Sequence, residues 1–275
     1  MTARTVIEGS GAVVTGGGAG IGRALARGLA AGGARVVVND LDEAAAAAVA
    51  AEIGGYAAPG DMATERGVHD LIEAARGYLG EIDIYCSNAG IAAGQGPDTP
   101  EETWQRSWEI NLMAHVRASR ELLPGWLDRG RGCFVVTASA AGLLMQLGSA
   151  TYSVTKHAAE AYAEWLAATY AHRGLTVHCI CPQGVKTSML DAASEAAKAV
   201  LAAAGAAIEP EQVADALLEG MAAGRFLILP HPEVGGYYAM RAGDPDRWLR
   251  GMNRMQQRIE AVERGPGEAP VGGTT

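Results

Sequence analysis

No run of apolar residues in this 275-residue sequence approaches the ~18 needed to cross a bilayer, so no membrane-spanning helix is expected. Basic excess is missing as well. Lysine and arginine number 22 against 31 aspartates and glutamates, a formal net charge of −9. A chain so charged is repelled by phosphate backbones and anionic lipid, which argues against nucleic acid or a membrane surface as partner. The opening residues, Met1 to Ser10, hold no apolar core of the kind a secretory signal needs. Cysteine is scarce. Cys86, Cys133, Cys179 and Cys181 all fall in or beside apolar runs, the pattern of reduced thiols packed in a core, and a cytoplasmic protein is expected. The six histidines show no ligand-like pairing, so no metal site is expected. Linkers and internal repeats are also lacking.

What is present is a repeating alternation. Hydrophobic residues make up 49% and charged residues 19%, ordinary for a globular enzyme with a sizeable core. Apolar runs at Gly11–Thr15, Arg35–Asp40, Gly55–Ala58, Ile82–Cys86, Cys133–Ala138, Leu175–Cys181 and Arg225–Pro230 read as strands. Helical patterns separate them, including 23–31, 42–53, 64–79, a long stretch at 101–129 broken near Pro124-Gly125, and 210–223. Strands alternating with helices predict an α/β fold, one doubly wound parallel sheet of about seven strands. One domain over 1–262 is expected, its core at about 11–230. Residues 188–207 read as an alanine-rich helical lid. His231 to Gly236 begins a loop, and an amphipathic helix over 245–262 places Trp248, Leu249, Met252, Met255 and Ile259 on one side. That stripe is expected to pack on the body or on a sister subunit. Residues 263–275 read as a flexible tail.

Two stretches carry chemistry. Gly16 to Gly22, between the first strand and its helix, is glycine-rich. Glycine lets a backbone approach a phosphate, and the following helix N-terminus offers free N–H groups and positive potential. Asp40 follows Gly22 by eighteen residues, close to the ~20 at which a carboxylate reaches the adenosine ribose. It would accept from the 2′-OH of NAD and repel the 2′-phosphate of NADP; alternatively Asp40, or equally Asp42, caps the next helix. The second stretch contains Tyr152 and Lys156, four residues apart and so on one helical face. A nearby ammonium is expected to draw the phenol's pKa down from ~10 toward the working range. Ser139 would be delivered to the sheet's C-terminal rim by the strand before it.

Taken together, Thr15 to Gly22, Asp61, Asn88-Ala89-Gly90, Asn111, Ser139 with Tyr152-x-x-x-Lys156, and Pro182 to Thr187 resemble the compact single-domain short-chain dehydrogenases/reductases, in the family's order over about 11–230. The resemblance implies a Rossmann-type sheet and NAD-dependent interconversion of a secondary alcohol and its ketone. It makes Tyr152 the acid/base, Ser139 the hydrogen-bond donor to the substrate oxygen, and Lys156 both the tuner of the phenol and a holder of the nicotinamide ribose. Asn111 would position a water for proton relay. Gly16, Gly20, Ile21 and Gly22 would cradle the pyrophosphate, Asp61 and Met62 the adenine, and Asn88, Ala89 and Gly90 the adenosine-side ribose. Pro182, Val185 and Thr187 would hold the nicotinamide. Gln183 stands where the family usually has glycine, and Ala138 where it often has serine.

The expected substrate lining, Gln95, Leu143, Gln146, Met189 and Leu190, is mostly apolar, which points to a hydrophobic secondary alcohol or ketone. No cluster of arginine or lysine marks a carboxylate, phosphate or CoA group. Family habit implies a homodimer or homotetramer pairing through helices at about 101–123 and 151–172. The alternatives are an NADP-dependent ketoreductase, which Asp40 opposes, and a non-catalytic NAD-binding regulator, which an intact Ser139, Tyr152 and Lys156 oppose.

Overall fold

The computed structural model describes residues 5–192, 198 and 205–264. Short runs such as Arg35-Val-Val-Val38 and Cys133-Phe-Val-Val136 carry apolar side chains on both faces of the chain. They are stable only when covered on both sides, as parallel strands are. The described residues form seven strands: β1 (Gly11–Val14), β2 (Arg35–Val38), β3 (Tyr56–Ala57), β4 (Ile84–Ser87), β5 (Gly132–Thr137), β6 (Leu175–Ile180) and β7 (Leu227–Ile228). Their order is β3-β2-β1-β4-β5-β6-β7, and every adjacent pair is parallel. Side chains alternate between two cores: Phe134 and Val136 enter one, Cys133 and Val135 the other. All four cysteines are buried free thiols. The winding direction reverses between β1 and β4, and the crevice beyond the strands' C-terminal ends at such a reversal is where α/β sheets bind ligands.

The helices are α1 (Gly20–Ala31), α2 (Glu43–Ile53), α3 (Glu65–Leu79), α4 (Glu101–Trp108), α5 (Ala114–Arg129), α6 (Ala140–Leu144), α7 (Ala150–Tyr170), α8 (Ser188–Asp191), α9 (Pro210–Ala223), α10 (Glu233–Gly243) and α11 (Pro245–Arg264). The break expected near Pro124-Gly125 is absent. Pro124 lies inside α5, and two residues later the buried Trp126 donates its Nε1–H to the Ile82 carbonyl at 2.7 Å and meets the Phe134 ring edge-on. That anchorage carries the helix past the proline. The irregularity falls instead at Glu109–Met113, a π-helical turn joining α4 to α5 and containing Asn111; such turns recur at functional sites.

The loop expected from His231 is also corrected. The chain forms α10 there, pinned by the buried Val234, and then α11. The Arg241 guanidinium on α10 donates to the carbonyl of Leu143, which ties the C-terminal helices to α6. The predicted lid over 188–207 is described only at its start, as α8, at Lys198 and from 205; the rest of it and the predicted tail from 265 lie outside the described residues.

Candidate active site

β5 ends at Thr137 and delivers Ser139 to the sheet rim as the cap of α6. Its Oγ accepts the Ala141 N–H at 3.1 Å and donates to the Pro182 carbonyl at 3.4 Å. Tyr152 and Lys156 sit on the first turns of α7, with the Lys156 ammonium 5.7 Å from the centre of the tyrosine ring. Lys156 is only 3% exposed and donates to the Thr137 carbonyl at 2.7 Å; burial pushes its pKa down to about 8. The expected lowering of the phenol is not found. Burial raises the Tyr152 pKa above its ordinary value, while the Ser139 hydroxyl pulls the other way. Desolvation penalises the phenolate directly, and the amine is engaged with a backbone carbonyl. Two hydroxyls and a buried cation at one spot can polarise a carbonyl oxygen and exchange a proton with it.

Asn111 is fully buried and its amide group is wholly engaged. It donates to the Ile91 carbonyl at 2.9 Å and to Thr155 Oγ1 at 3.0 Å, and it accepts the Ile91 N–H at 2.9 Å. The side chain therefore braces the loop after β4 against α7, with both N–H donors used and one lone pair of Oδ1 left over. Thr155 is a partner that the sequence reading missed. So is His115, one turn further on, which shares a 2.5 Å hydrogen bond with Ser87 Oγ. Burial, and then the charge of Lys156, push its pKa down to about 3, so it is neutral.

A cleft of about 370 Å³ runs from the glycine-rich turn to Ser139, Tyr152 and Lys156. Gly16 has φ of +61° and Gly20 of +50°, and a Cβ on Gly22 would meet the Gly16 carbonyl at 1.9 Å, so only glycine fits this turn. Thr15, unremarked as a site residue, fastens it: its Oγ1 accepts the N–H groups of Asn88 (2.9 Å) and Ala89 (3.0 Å). The Asn88 amide donates to the Thr15 carbonyl at 3.0 Å. Asn88 is thereby a clamp on the turn, while Ala89 and Gly90 line the cleft. No side chain caps α1 and no acid lies in its first turn, so its leading N–H groups, at Gly20, Ile21 and Gly22, stand ready for an anion.

Asp40 lines the same cleft, and its two oxygens accept the N–H groups of Gly18 (2.9 Å) and Asp42 (3.1 Å). The α2 cap is Asp42, which accepts from Ala45 at 3.1 Å. Asp61 and Met62 lie beyond. Burial opposes ionisation of Asp61, but the Arg106 guanidinium, on both oxygens at 3.0 and 3.2 Å, outweighs it and holds the pKa low. Arg106 lines the cleft too, and only the fold reveals it, 45 residues from Asp61. Pro182, Val185 and Thr187 complete the opposite end. N–H groups for a pyrophosphate, a carboxylate placed for a ribose and a proton-exchanging end form a donor set that fits a nicotinamide dinucleotide.

Of the expected substrate residues, Gln146, Met189 and Leu190 line the cleft. Leu143 does not; it is 1% exposed and packed in the core. Gln95 does not line it either; it is exposed, its backbone hydrogen-bonded to Thr99 and Ala150. A second cavity, of about 480 Å³, begins at Ser139, Gln146 and Gln183. Its walls are Leu144, Met145 and Leu147 on one side and Tyr237, Met240, Trp248, Met252 and Met255 on the other. Trp248 of the α11 stripe packs in part on the core, as expected, while Met252 and Met255 face this cavity with it; Leu249 leaves the stripe, 58% exposed. Met145 has φ of +69°, a conformation costly for a side-chain-bearing residue, at the very wall of this cavity.

Comparison with known proteins agrees with the geometry. The sequence pattern of the short chain dehydrogenase family matches residues 10–198. The chain is 32% identical to a 1-deoxy-11-beta-hydroxypentalenate dehydrogenase of Streptomyces avermitilis over 83% of this chain and 87% of that protein. It is 30% identical to 3beta-hydroxysteroid dehydrogenase 2 of Eggerthella lenta over 67% and 74% of the two chains. A short chain dehydrogenase/reductase from Burkholderia phymatum, solved in complex with NAD, superposes with a TM-score of 0.80 at 28% identity, covering 88% of this chain and 95% of that one. With its parallel sheet, its glycine turn at the switch point and this coverage, the chain belongs to the short-chain dehydrogenase family.

Proposed function

We propose that this oxidoreductase interconverts a hydrophobic secondary alcohol and its ketone with NAD as hydride carrier and Tyr152 as the acid/base. The observation that carries this is the position of Ser139, which lies on the wall shared by the cleft and the apolar cavity. A substrate body in the cavity and a dinucleotide in the cleft therefore meet at Ser139, Tyr152 and Lys156. When bound there, NAD supplies the hydride-accepting ring. Ser139 donates a hydrogen bond to the substrate oxygen, and Tyr152 takes the hydroxyl proton in oxidation or returns one in reduction. Lys156 keeps a positive charge behind the phenol, and Asn111 acts as a positioning residue for that lysine's helix. The relatives' names, a hydroxypentalenate and a hydroxysteroid dehydrogenase, support oxidation of a hydroxyl on an apolar skeleton. Trp165 and Val154 on α7 and Trp108 on α4, 51%, 47% and 41% exposed, support pairing of two copies through these helices. The test is NADH formation across aliphatic, aryl and polycyclic alcohols; turnover confined to highly charged polar alcohols would overturn the proposal.

A pH dependence follows from the raised phenol. Oxidation needs Tyr152 deprotonated, and its pKa lies above the usual value. Oxidation under chemistry-limited conditions should therefore rise about tenfold per pH unit through the neutral and mildly alkaline range, as for a single required base. Ketone reduction, which needs the protonated phenol, should stay level there. An oxidation rate that is flat from pH 6 to 9 would overturn a raised phenol as the required base.

Asp40 carries the cofactor preference. Asp40→Asn retains an acceptor for the Gly18 N–H but removes the charge. It should shift the NAD-over-NADP ratio of kcat/KM toward NADP by about tenfold or more, the worth of one charge-assisted contact. An unchanged ratio would place the discrimination elsewhere.

A further inference from the structure

We infer that the substrate is an amphiphilic anion: a compact, ring-rich apolar body with an acidic group, held by Arg247 and Arg254 of α11. This deepens the proposed alcohol oxidation and rests on it. The cavity wall on α11 has two parallel rows. Trp248, Met252 and Met255 form one, at helical spacing; Arg247, Gly251 and Arg254 form the other beside it. The pocket is therefore apolar across its face and cationic along one edge. Gly251 leaves room between the two arginines, and a Cβ there would stand 3.8 Å from Arg254 Nη2.

Neither guanidinium has an ion-pair partner among the described residues, although ten other side chains of lysine, arginine or histidine do. Asp244, just before α11, spends its carboxylate on the backbone N–H of Arg247 at 2.9 Å. In a chain of net charge −9, two unpartnered arginines on one cavity edge are unusual company for methionines. The same wall holds polar atoms that are buried and bare. Trp248 Nε1 and Gln183 Oε1 have no hydrogen-bond partner, and both residues line the cavity. Both atoms lie beneath the surface of the wall, so the guanidinium edge, and not these atoms, is what an acidic group meets in the cavity. Rigid rings suit the walls. The floor is the short helix α6 with the strained Met145, and the opposite side is Tyr237, Met240 and Trp248, large surfaces that grip a ring face better than a flexible chain.

The test is calorimetric binding to the full chain of two acids, 4-hydroxyadamantane-1-carboxylate and a 3-hydroxysteroid carboxylic acid, each beside its methyl ester. At least one acid should bind about tenfold more tightly than its ester, the worth of a charged hydrogen-bonded pair. Arg247→Gln with Arg254→Gln should erase that preference while leaving ester affinity and the unfolding midpoint unchanged, and Arg247→Lys with Arg254→Lys should restore part of it. Equal binding of acid and ester, a preference that survives the glutamine pair, or failure of both acids to bind would each overturn the inference. Binding preference with no NAD-linked oxidation of either acid would leave the anion site standing and overturn the proposed reaction instead.

Discussion

Tyr152→Phe is expected to lower the rate of NAD-linked alcohol oxidation by about 10²–10⁴-fold, the range for loss of a positioned acid/base. The change removes one oxygen and keeps the ring, so the packing of α7 against the cleft survives and dinucleotide affinity should hardly move. Stability should hardly move, since the half-buried phenol is neutral at pH 7 in the folded and the unfolded chain alike. The loss should fall in the chemical step, seen in single-turnover hydride transfer, with little change in KM. Residual activity has a source in Ser139, whose hydroxyl still polarises the substrate oxygen, so the double variant with Ser139→Ala should be lower again, though not by the product of the two effects. Retained turnover in Tyr152→Phe would sink the assignment of the acid/base, while NADH fluorescence titration of the same variant separates that failure from loss of cofactor binding.

The parallel sheet was readable in the sequence because its strands are short β-branched runs that can be stable only when covered on both sides, and because each is followed by a helix. The glycine turn was readable for a similar reason: the backbone geometry leaves few alternatives to glycine at Gly16, Gly20 and Gly22. Legibility ended where the outcome depends on which neighbour a side chain meets. Pro124 reads as a helix break, yet Trp126 holds α5 together from the core. Asp61 enters the sequence reading only as an adenine contact implied by the resemblance, and nothing there reveals Arg106, which arrives from a helix 45 residues away. Leu143 and Gln146 both fall in the apolar stretch after Ser139, and only the turn at Met145 puts one in the core and the other on the cleft. An amphipathic helix such as α11 shows the same stripe whether it faces a core, a partner or a void. Arg247 and Arg254 come to lie on one edge of a cavity only in the fold.

Lys156→Met should make the cofactor-free protein more stable while removing its activity. The amine is 3% exposed, and burial lowers its pKa from 10.5 to about 8. At roughly 1.36 kcal/mol per unit, keeping it charged in the fold costs about 3 kcal/mol at neutral pH. The sign follows from proton counting. Between the two pKa values the unfolded chain holds a proton that the folded one has lost, so stability rises with pH from about 8 to 10.5 and carries the full penalty below that window. Methionine removes the penalty and the slope together, and fills similar volume. Against this, the Thr137 carbonyl loses its 2.7 Å donor, worth about 1–2 kcal/mol. The balance favours the variant by about 1–2 kcal/mol at pH 7, a rise of roughly 2–4 °C in Tm for each kcal/mol in a chain of this size. Turnover should fall by about 10²–10³-fold, as when one preorganised charge is removed, and NAD affinity should fall with it. The measurements are Tm against pH for both proteins and single-turnover rates at pH 7. A variant less stable at pH 7, or one that keeps the alkaline rise in Tm, would mean that the buried charge is better solvated than its surroundings allow. The expected outcome is that the fold bears a destabilising cation at the one place where the proposed chemistry needs it.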